Sequence, residues 1–592
     1  MGLLRYAVVL ILLHVLPANA SLPAGTRPIA PPKCEVRAIW ITTASGLDWP
    51  RSTSPRKQRE ELATIVSTMK EMGYNTIFFQ VRPRGDAYYR SRYEPWAENL
   101  TGTLGKDPGW DPLATLLEYA HAAGIDVHAW INVFKIRGPN PVGLSTPQHP
   151  SRTLAGWCIA EGGELWLDPG RPEVRTYLAS VVMDLVRSYD IDGINFDFIR
   201  YPGHRFNDAE TYARYGKGKS LHDWRRENIT AFVRDVYHQA TTTKPRLRIG
   251  SSPLGVYRND ANHDRRGSYY WVFQDSYGWL KEGIHDYLSP QIYWMIDAWD
   301  REPPFNRVVQ EWKELTAGRH VYPGIAAYRP EIQRDLAAYV DSSRAAGLHG
   351  QVFFRWENMV APAARHTRYR SPANIPAMPW KDPVPPEPVT RFTVEEASPG
   401  MYRLTWSTPL RAPDGDTAAY YNVYRWTTGQ IPLHIPEARI AITRPGTLTL
   451  LDSTHTDGSA RFYYAVTAFD RSHNESQPSP VLSTHTDLIS PIPAPAPPST
   501  PKPVTLGVAL EHATGRPMQV QYSLPERTRV AVDIILRRDG IPDTLQTMLV
   551  RAVQDGGMYT VNLNGIDLQA GSYIVRLTTT YKTIEQSILV GP

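Results

Sequence analysis

Cysteine is nearly absent. The 592 residues include only Cys34 and Cys158, too few for a disulfide framework and without the spacing of a zinc site. The strand layout below puts them at opposite ends of one domain, so they are expected as free or buried thiols. His-x-His and His-Glu-x-x-His are missing too, so no metal and no cofactor is expected. Without a Gly-x-Ser-x-Gly elbow, a serine esterase is disfavoured. No basic run stands out, and 64 Lys+Arg against 59 Asp+Glu leave a formal charge of only +5. That balance gives no reason to expect a nucleic-acid partner. Past the N-terminus, no apolar run is long enough for a transmembrane helix.

Aromatic residues and proline are plentiful. The 17 Trp and 32 Tyr suit a protein that stacks against sugar rings, although most such residues serve packing. Residues 1–20 read as a signal peptide: Arg5, an apolar stretch over 6–16, then Ala18-Asn19-Ala20 before Ser21. The expected destination is outside the cytoplasm, in the periplasm, at the cell surface or beyond it.

From residue 34 to 375, strand and helix signals alternate. Strands are expected at 36–43, 76–82, 127–134, 192–202, 247–253, 287–294, 321–328 and 351–357. Helices are expected at 55–72, 112–123, 172–189, 221–241, 305–315 and 331–346. This order predicts an α/β fold, a (β/α)8 TIM barrel with long loops at one end. A doubly wound open sheet is the alternative, weakened by the lack of a Gly-rich phosphate loop after the first strand.

The fourth strand carries unusual cargo. In Asp192-Gly-Ile-Asn-Phe-Asp-Phe-Ile-Arg-Tyr-Pro202, Ile194, Phe196 and Phe198 take one face, and Asn195 and Asp197 the other. Reading only the C-terminal ends of the strands, where such barrels do their chemistry, collects Trp40, Arg82, Asp86, His128, Trp130, Asn132, Asn195, Asp197, Gln291, Tyr293, Arg355 and Glu357. Glycoside hydrolysis needs two carboxyl groups. Asp197 is the first choice, with Arg200 near enough to hold it ionised as nucleophile or base. Glu357 is the expected partner, an acid whose pKa its aromatic neighbours would raise. Asp86 and Asp260 compete with it. Asp192, which precedes the strand, reads as structural, and His128 reads about equally as a core residue.

Several motifs together resemble the bacterial glycosyl hydrolase-like 10 family. They are Val36-Arg-Ala-Ile-Trp-Ile41, Gln80-Val-Arg-Pro-Arg-Gly-Asp-Ala-Tyr-Tyr89, Tyr93-Glu-Pro-Trp96, Trp110-Asp-Pro-Leu113, His128-Ala-Trp-Ile-Asn132, Trp166-Leu-Asp-Pro-Gly170, Asp192-Gly-Ile-Asn-Phe-Asp197 and Ser289-Pro-Gln-Ile-Tyr293. The resemblance implies an exported TIM-barrel glycosidase, and some members act on peptidoglycan glycan strands stripped of their peptides. It matches Asp197 to the family's strand-four acidic position, and Asp86, Tyr88, His128, Trp130, Asn132, Gln291 and Tyr293 to cleft positions. Two departures stand out. Val133-Phe-Lys135 replaces the Pro-Tyr-Arg of many relatives, and Phe198 replaces a second Asp.

Two further β regions follow. Residues 388–487, with Leu404-Thr-Trp406, Tyr421-Asn-Val-Tyr-Arg425 and Phe462-Tyr-Tyr-Ala-Val-Thr-Ala-Phe469, resemble a fibronectin type III sandwich. A Pro-rich linker spans 488–503. Residues 504–592 resemble the C-terminal sorting domain of type IX secretion cargo, and also the immunoglobulin-like domain of flagellar hook-capping proteins. Type IX secretion machinery is thus an expected partner beside the polysaccharide substrate. Two other functions compete with the hydrolase: a non-catalytic carbohydrate-binding or cell-wall scaffold protein, and a polysaccharide deacetylase.

Overall fold

A computed structural model describes residues 29–484, apart from 139–147, 259–266, 298–302, 362–366, 445 and 454–460. It also describes 505–590, apart from 511–516, 525–527, 539–540, 555–556, 563–567 and 580–582. The expected signal peptide, the second linker and Asp260 lie outside the described residues. The chain forms two compact units that divide between residues 485 and 486. No described helix is long and apolar enough to cross a membrane.

The first unit is built on a parallel sheet. Its early strands are β1 (Val36–Ile41), β2 (Thr76–Arg82) and β3 (Asp126–Asn132). A small antiparallel sheet then intervenes: β4 (Lys135–Arg137), β5 (Cys158–Glu161) and β6 (Glu164–Leu167). The parallel sheet resumes with β7 (Gly193–Asp197), β8 (Arg248–Ser251), β9 (Tyr287–Leu288), β10 (His320–Val321), β11 (Gly324–Ala326) and β12 (Gly350–Phe354). The order β10-β9-β8-β7-β3-β2-β1-β12-β11 begins and ends on consecutive pieces of one run of chain, and Gln291 bridges to Gly324. The sheet therefore curls until its two edges lie on the same segment.

Helices separate the strands, among them Pro55–Glu71, Pro112–Ala123, Pro172–Ser188 and Leu221–Thr243. Three of the four begin with Pro, whose missing N–H costs nothing in the first turn. Pro112–Ala123 is also capped by the Asp111 carboxylate on Ala114 N–H at 3.0 Å, and it ends at Gly124 with φ +71°. Covered by helices, the strands read as nearly unbroken apolar runs.

The strands divide their side chains between two cores. Ile39, Ile41, Ile77, Phe79, Val81, Val127, Ile131, Ile194 and Phe196 join the large core that also holds the buried residues of the helices. The alternate residues Ala38, Trp40, Phe78, Trp130, Tyr287 and Tyr322 form a separate inner cluster. Glycine makes this inner packing possible: a Cβ on Gly193 would lie 2.6 Å from the His128 ring, and one on Gly324 would lie 2.9 Å from Trp40. The period-two reading of 192–197 holds, and Asn195 and Asp197 share the inner phase.

Of the eight expected strands only the second keeps its full length. The first and third stop two residues early, at Ile41 and Asn132, and the fourth stops at Asp197 instead of running to 202. The fifth covers only 248–251. The sixth stops at Leu288, and the seventh breaks at Tyr322–Pro323. The eighth ends at Phe354, where a turn of helix, Trp356–Met359, takes over. Glu357 therefore lies in the first turn of a short helix and does not end a strand. Cys34 and Cys158 are free, as expected, but Cys34 is exposed and Cys158 only half-buried.

Two antiparallel sheets complete the first unit. One contains β13 (Phe392–Ser398), β14 (Met401–Trp406) and β17 (Thr449–Asp452). The other contains β15 (Tyr420–Trp426), β16 (Arg439–Ile442), β18 (Tyr463–Phe469) and β19 (Leu482–Ser483). Both contribute to one core, where Trp406 meets Tyr421 edge-on at 5.6 Å. The second unit, described by itself, also has two antiparallel sheets, of three and four strands. Val520, Tyr522, Val532, Ile534, Val575 and Leu577 lie in its core.

Candidate active site

Asp197 is the last residue of β7, on the inner face, and is 9% exposed. Its Oδ1 accepts from Phe198 N–H at 2.7 Å and from Gln291 Nε2 at 3.3 Å. Gln291 is itself anchored, donating to the Ser252 carbonyl at 3.1 Å. Phe198 has φ +48°, a strained value for a residue with a side chain, and it turns the chain sharply off the strand. Arg200 and Lys135 both pull the Asp197 carboxyl down electrostatically, but burial outweighs them and its pKa is raised. The expectation that Arg200 holds Asp197 ionised is thus corrected: desolvation is the larger effect.

Aromatic rings flank this carboxyl. The Trp130 side chain is directed at Asp197, although its indole N–H completes no hydrogen bond of good geometry. Tyr293, which senses the Asp197 charge, stacks on Phe354 at 5.8 Å and meets Tyr328 edge-on at 6.1 Å. Trp130 meets Phe354 at 6.3 Å. Tyr328 is 45% exposed, so this wall opens to solvent as a sugar-stacking surface would. Phe354 and Tyr328 were not among the expected site residues. Both fell near the ends of expected strands, and that position was the available signal.

The two sequence departures lie against each other. The Lys135 ammonium sits 4.5 Å from the centre of the Phe198 ring, and the Arg200 guanidinium sits 4.9 Å from it. Lys135 is also ion-paired with Glu164 of β6. Trp166, from the same small sheet, packs edge-on against Phe198 at 5.7 Å.

Other expected residues turn out to be supports. Arg82 is fully buried and forms a two-pronged pair with Glu94 at 2.6 and 2.7 Å, while donating to the carbonyls of Asn132 and Val133. It holds the end of β3 in place and has no surface for substrate. Tyr88 is 1% exposed and donates to the Thr43 carbonyl at 3.0 Å. His128 stacks on Phe78 at 5.0 Å and has Nδ1 2.8 Å from the Tyr287 hydroxyl; burial keeps its imidazole neutral. Asn195 accepts from Trp40 Nε1 at 3.3 Å and from Ser252 at 2.7 Å, so Trp40 and Asn195 brace each other inside the inner cluster. Asn132 donates to the Pro83 carbonyl at 2.8 Å. Trp40, His128 and Asn195 have the expected inward phase but lie below the strand ends, whereas Asn132 ends β3 in register with Asp197.

The other carboxyl candidates have separate surroundings. Glu357 is 43% exposed and lies 2.9 Å from both Arg51 and Arg355. The bond from Arg51, helped by Arg355, lowers its pKa. The expected acid role for Glu357 is therefore corrected, because two guanidinium groups favour its charged form. Arg355 is also bonded to Asp48. Asp86 is 8% exposed, accepts from Arg84 N–H at 3.0 Å, and faces a small cavity beside His149; burial raises its pKa. Asp192 is structural, as expected: its Oδ2 accepts from Val127 N–H at 2.8 Å and lies 2.8 Å from His121 Nε2.

A cavity of about 960 Å³ lies elsewhere, at the N-terminal ends of the strands against the β15–β18 sheet, lined by Asn75, Asp126, Asp192, Asn374 and Tyr420 among others. Among the described residues, one group of three carboxylates, Asp382, Asp414 and Asp416, is close enough to share a cation. It too is remote from Asp197, and Asp416 is already paired with Arg246.

The glycosyl hydrolase-like 10 family matches residues 35–339, the segment that supplies Asp197, Trp130, Gln291 and Tyr293. The chain belongs to that family. Glycosyl hydrolase YngK of Bacillus subtilis (strain 168) is 32% identical over 479 residues, 75% of this chain and 92% of that protein. Glycosyl hydrolase DigH of Escherichia coli (strain K12) is 34% identical over 344 residues, 53% of this chain and 77% of that one. Among solved structures, the glycoside hydrolase domain of PgaB (BpsB) from Bordetella bronchiseptica covers 57% of this chain and 98% of its own. Its TM-score is 0.41, at 14% identity. This family member is a glycosidase.

Proposed function

We propose that the protein is an exported glycoside hydrolase with a (β/α)8 catalytic barrel, followed by a fibronectin type III-like sandwich and a C-terminal sorting-like sandwich. Its substrate is a bacterial cell-wall polysaccharide, the glycan strand of peptidoglycan. The observation that carries this reading is Asp197, a carboxyl group with a raised pKa, held by Phe198 N–H and Gln291 at the strand end, beside the aromatic wall of Trp130, Tyr293 and Phe354.

The environments of the two carboxyl groups set their roles. Asp197, pushed toward its neutral form, is the general acid that protonates the leaving oxygen. Glu357, kept charged by Arg51 and Arg355, supplies the carboxylate of the pair. This reverses the assignment expected from sequence. The test is reducing-end release from purified glycan strands stripped of peptide, with Asp197→Asn and Glu357→Gln. Each variant should lose about 10²–10⁴-fold, the usual worth of acid–base catalysis. Full activity in a folded Asp197→Asn variant would remove Asp197 from the mechanism.

A further inference from the structure

Arg200 has no ion-pair partner of its own among the described residues. Its guanidinium lies over the rings of Phe198 and Trp166, 4.9 and 5.7 Å from their centres. Among the described residues, its only hydrogen bond is a long one, from Nη1 to the Tyr201 carbonyl at 3.4 Å. Asp197 and Glu164 act on it electrostatically, yet neither forms an ion pair with it. Lys135 shares the Phe198 ring, but Glu164 neutralises it. Among the described residues, Arg200 is thus the charge of the cluster that no ion pair compensates. When Asp197 is protonated, as a general acid must be before it acts, the nearest balancing charge disappears.

A guanidinium held over aromatic rings, with its donors unspent, suits a planar two-oxygen anion. We propose that Arg200 recognises a free carboxylate carried by the sugar at the cleaved linkage, making the enzyme selective for an acidic glycan. This inference rests on the reading that the substrate is a wall glycan. There the matching group is the lactyl ether carboxylate, which is charged only after its peptide has been removed. A peptide-bearing unit presents a neutral amide at the same place, and a guanidinium pairs with it weakly. Selectivity for stripped strands would then follow from one side chain.

The test compares two forms of one stripped glycan: untreated, and with its carboxylates converted to neutral methylamides by carbodiimide coupling. The readout is the ratio of kcat/KM on the two. The native protein should favour the free carboxylate by about 10- to 100-fold, the range of a charge-assisted hydrogen bond. Arg200→Gln should bring that ratio close to one, and Arg200→Lys should keep part of it. A native ratio near one, or an unchanged ratio in Arg200→Gln, would overturn the proposal. A residue that only tunes Asp197 would slow both substrates alike and leave the ratio intact. Calorimetry on the Asp197→Asn protein separates this inference from the hydrolase reading. Tighter binding of the carboxylate form supports the Arg200 role even if the native protein cleaves neither glycan, a result that would sink only the hydrolase reading. Equal binding of both forms, or binding of neither, counts against Arg200.

Discussion

At Asp197 two opposing influences meet. Arg200 and Lys135 favour the charged carboxylate, as does the Phe198 N–H, but burial favours the neutral acid and prevails. Such a site costs stability. With the folded-state pKa raised above the unfolded value of about 3.9, the native state holds its proton longer than the unfolded state does. Stability therefore falls as pH rises through the carboxylate range, and the penalty is complete above the folded pKa. Asp197→Asn removes the ionisation. Its unfolding midpoint should lie above that of the native protein at pH 7, and the gap should close near pH 4. Equal midpoints at pH 7, measured by calorimetry, would show that burial does not govern this group. A higher midpoint in the variant would make the carboxyl proposed for the chemistry a weak point of the fold as well, the usual bargain at active sites.

At the scale of elements, polar residues before a strand do different work from those after it. Asp192 ties the helix Pro112–Ala123 to the strands: one carboxylate oxygen takes Val127 N–H and contacts His121. That contact, with smaller contributions from nearby acids, raises the His121 pKa. A histidine raised in the folded state adds stability that is complete below its unfolded pKa of about 6.5 and is lost as pH rises through the folded value. Asp192→Asn should therefore cost roughly 1.5–3 kcal/mol at pH 6 and clearly less at pH 9. Urea unfolding at the two pH values checks this, and a cost independent of pH would mean that His121 contributes no charge. The structural reading of Asp192 came from its place ahead of the strand, a local property. The neighbouring misjudgements came from treating inward phase as exposure to substrate. His128 and Asn195 point inward, but inward at mid-strand means into the packed inner cluster. Asp197, the last residue of its strand, stands one inward position further along, in register with the end of β3.

At the scale of the molecule, the β13–β19 region is a brace for the curled sheet. Asn374 and Asn422 exchange hydrogen bonds at 3.2 and 3.0 Å, and Arg439 bonds to Asn374 and to the Pro372 carbonyl. His473 reaches Asp126 of β3 at 3.1 Å. Burial alone would raise the Asp126 pKa, but Arg248 and His473 reverse that and hold it well below the carboxylate range. Ending the chain at residue 385 would remove Asn422, Arg439 and His473, leaving Asn374 without these partners and Asp126 with Arg248 alone. Breaking a buried ion pair typically costs about 3–5 kcal/mol. A chain ending at residue 485, which is a compact unit by itself, should fold and keep its glycosidase activity. A chain ending at 385 should be markedly less stable in thermal unfolding. Equal midpoints for the two would show that the brace is dispensable.

Most of the architecture was readable in advance because it depends on neighbours in sequence. Strand and helix periods, Pro at helix starts, and the opposed phases of Ile194/Phe196 and Asn195/Asp197 are set by backbone geometry over a few residues. The order of strands and the place of Asp197 among them followed from those periods. The charge states did not. Whether Asp197 or Glu357 carries the proton depends on burial and on guanidinium groups that approach from distant segments, as Arg51 approaches Glu357 across 306 positions. The pairing of Arg82 with Glu94, the stacking of Lys135 and Arg200 on Phe198, and the docking of His473 on Asp126 are likewise contacts through space. Desolvation and Coulomb forces act over ångströms, whatever the separation along the chain. The sequence alone therefore determined where the carboxyl groups stand, and only the tertiary structure decided which of them burial pushes toward its neutral form and which the guanidinium groups keep charged.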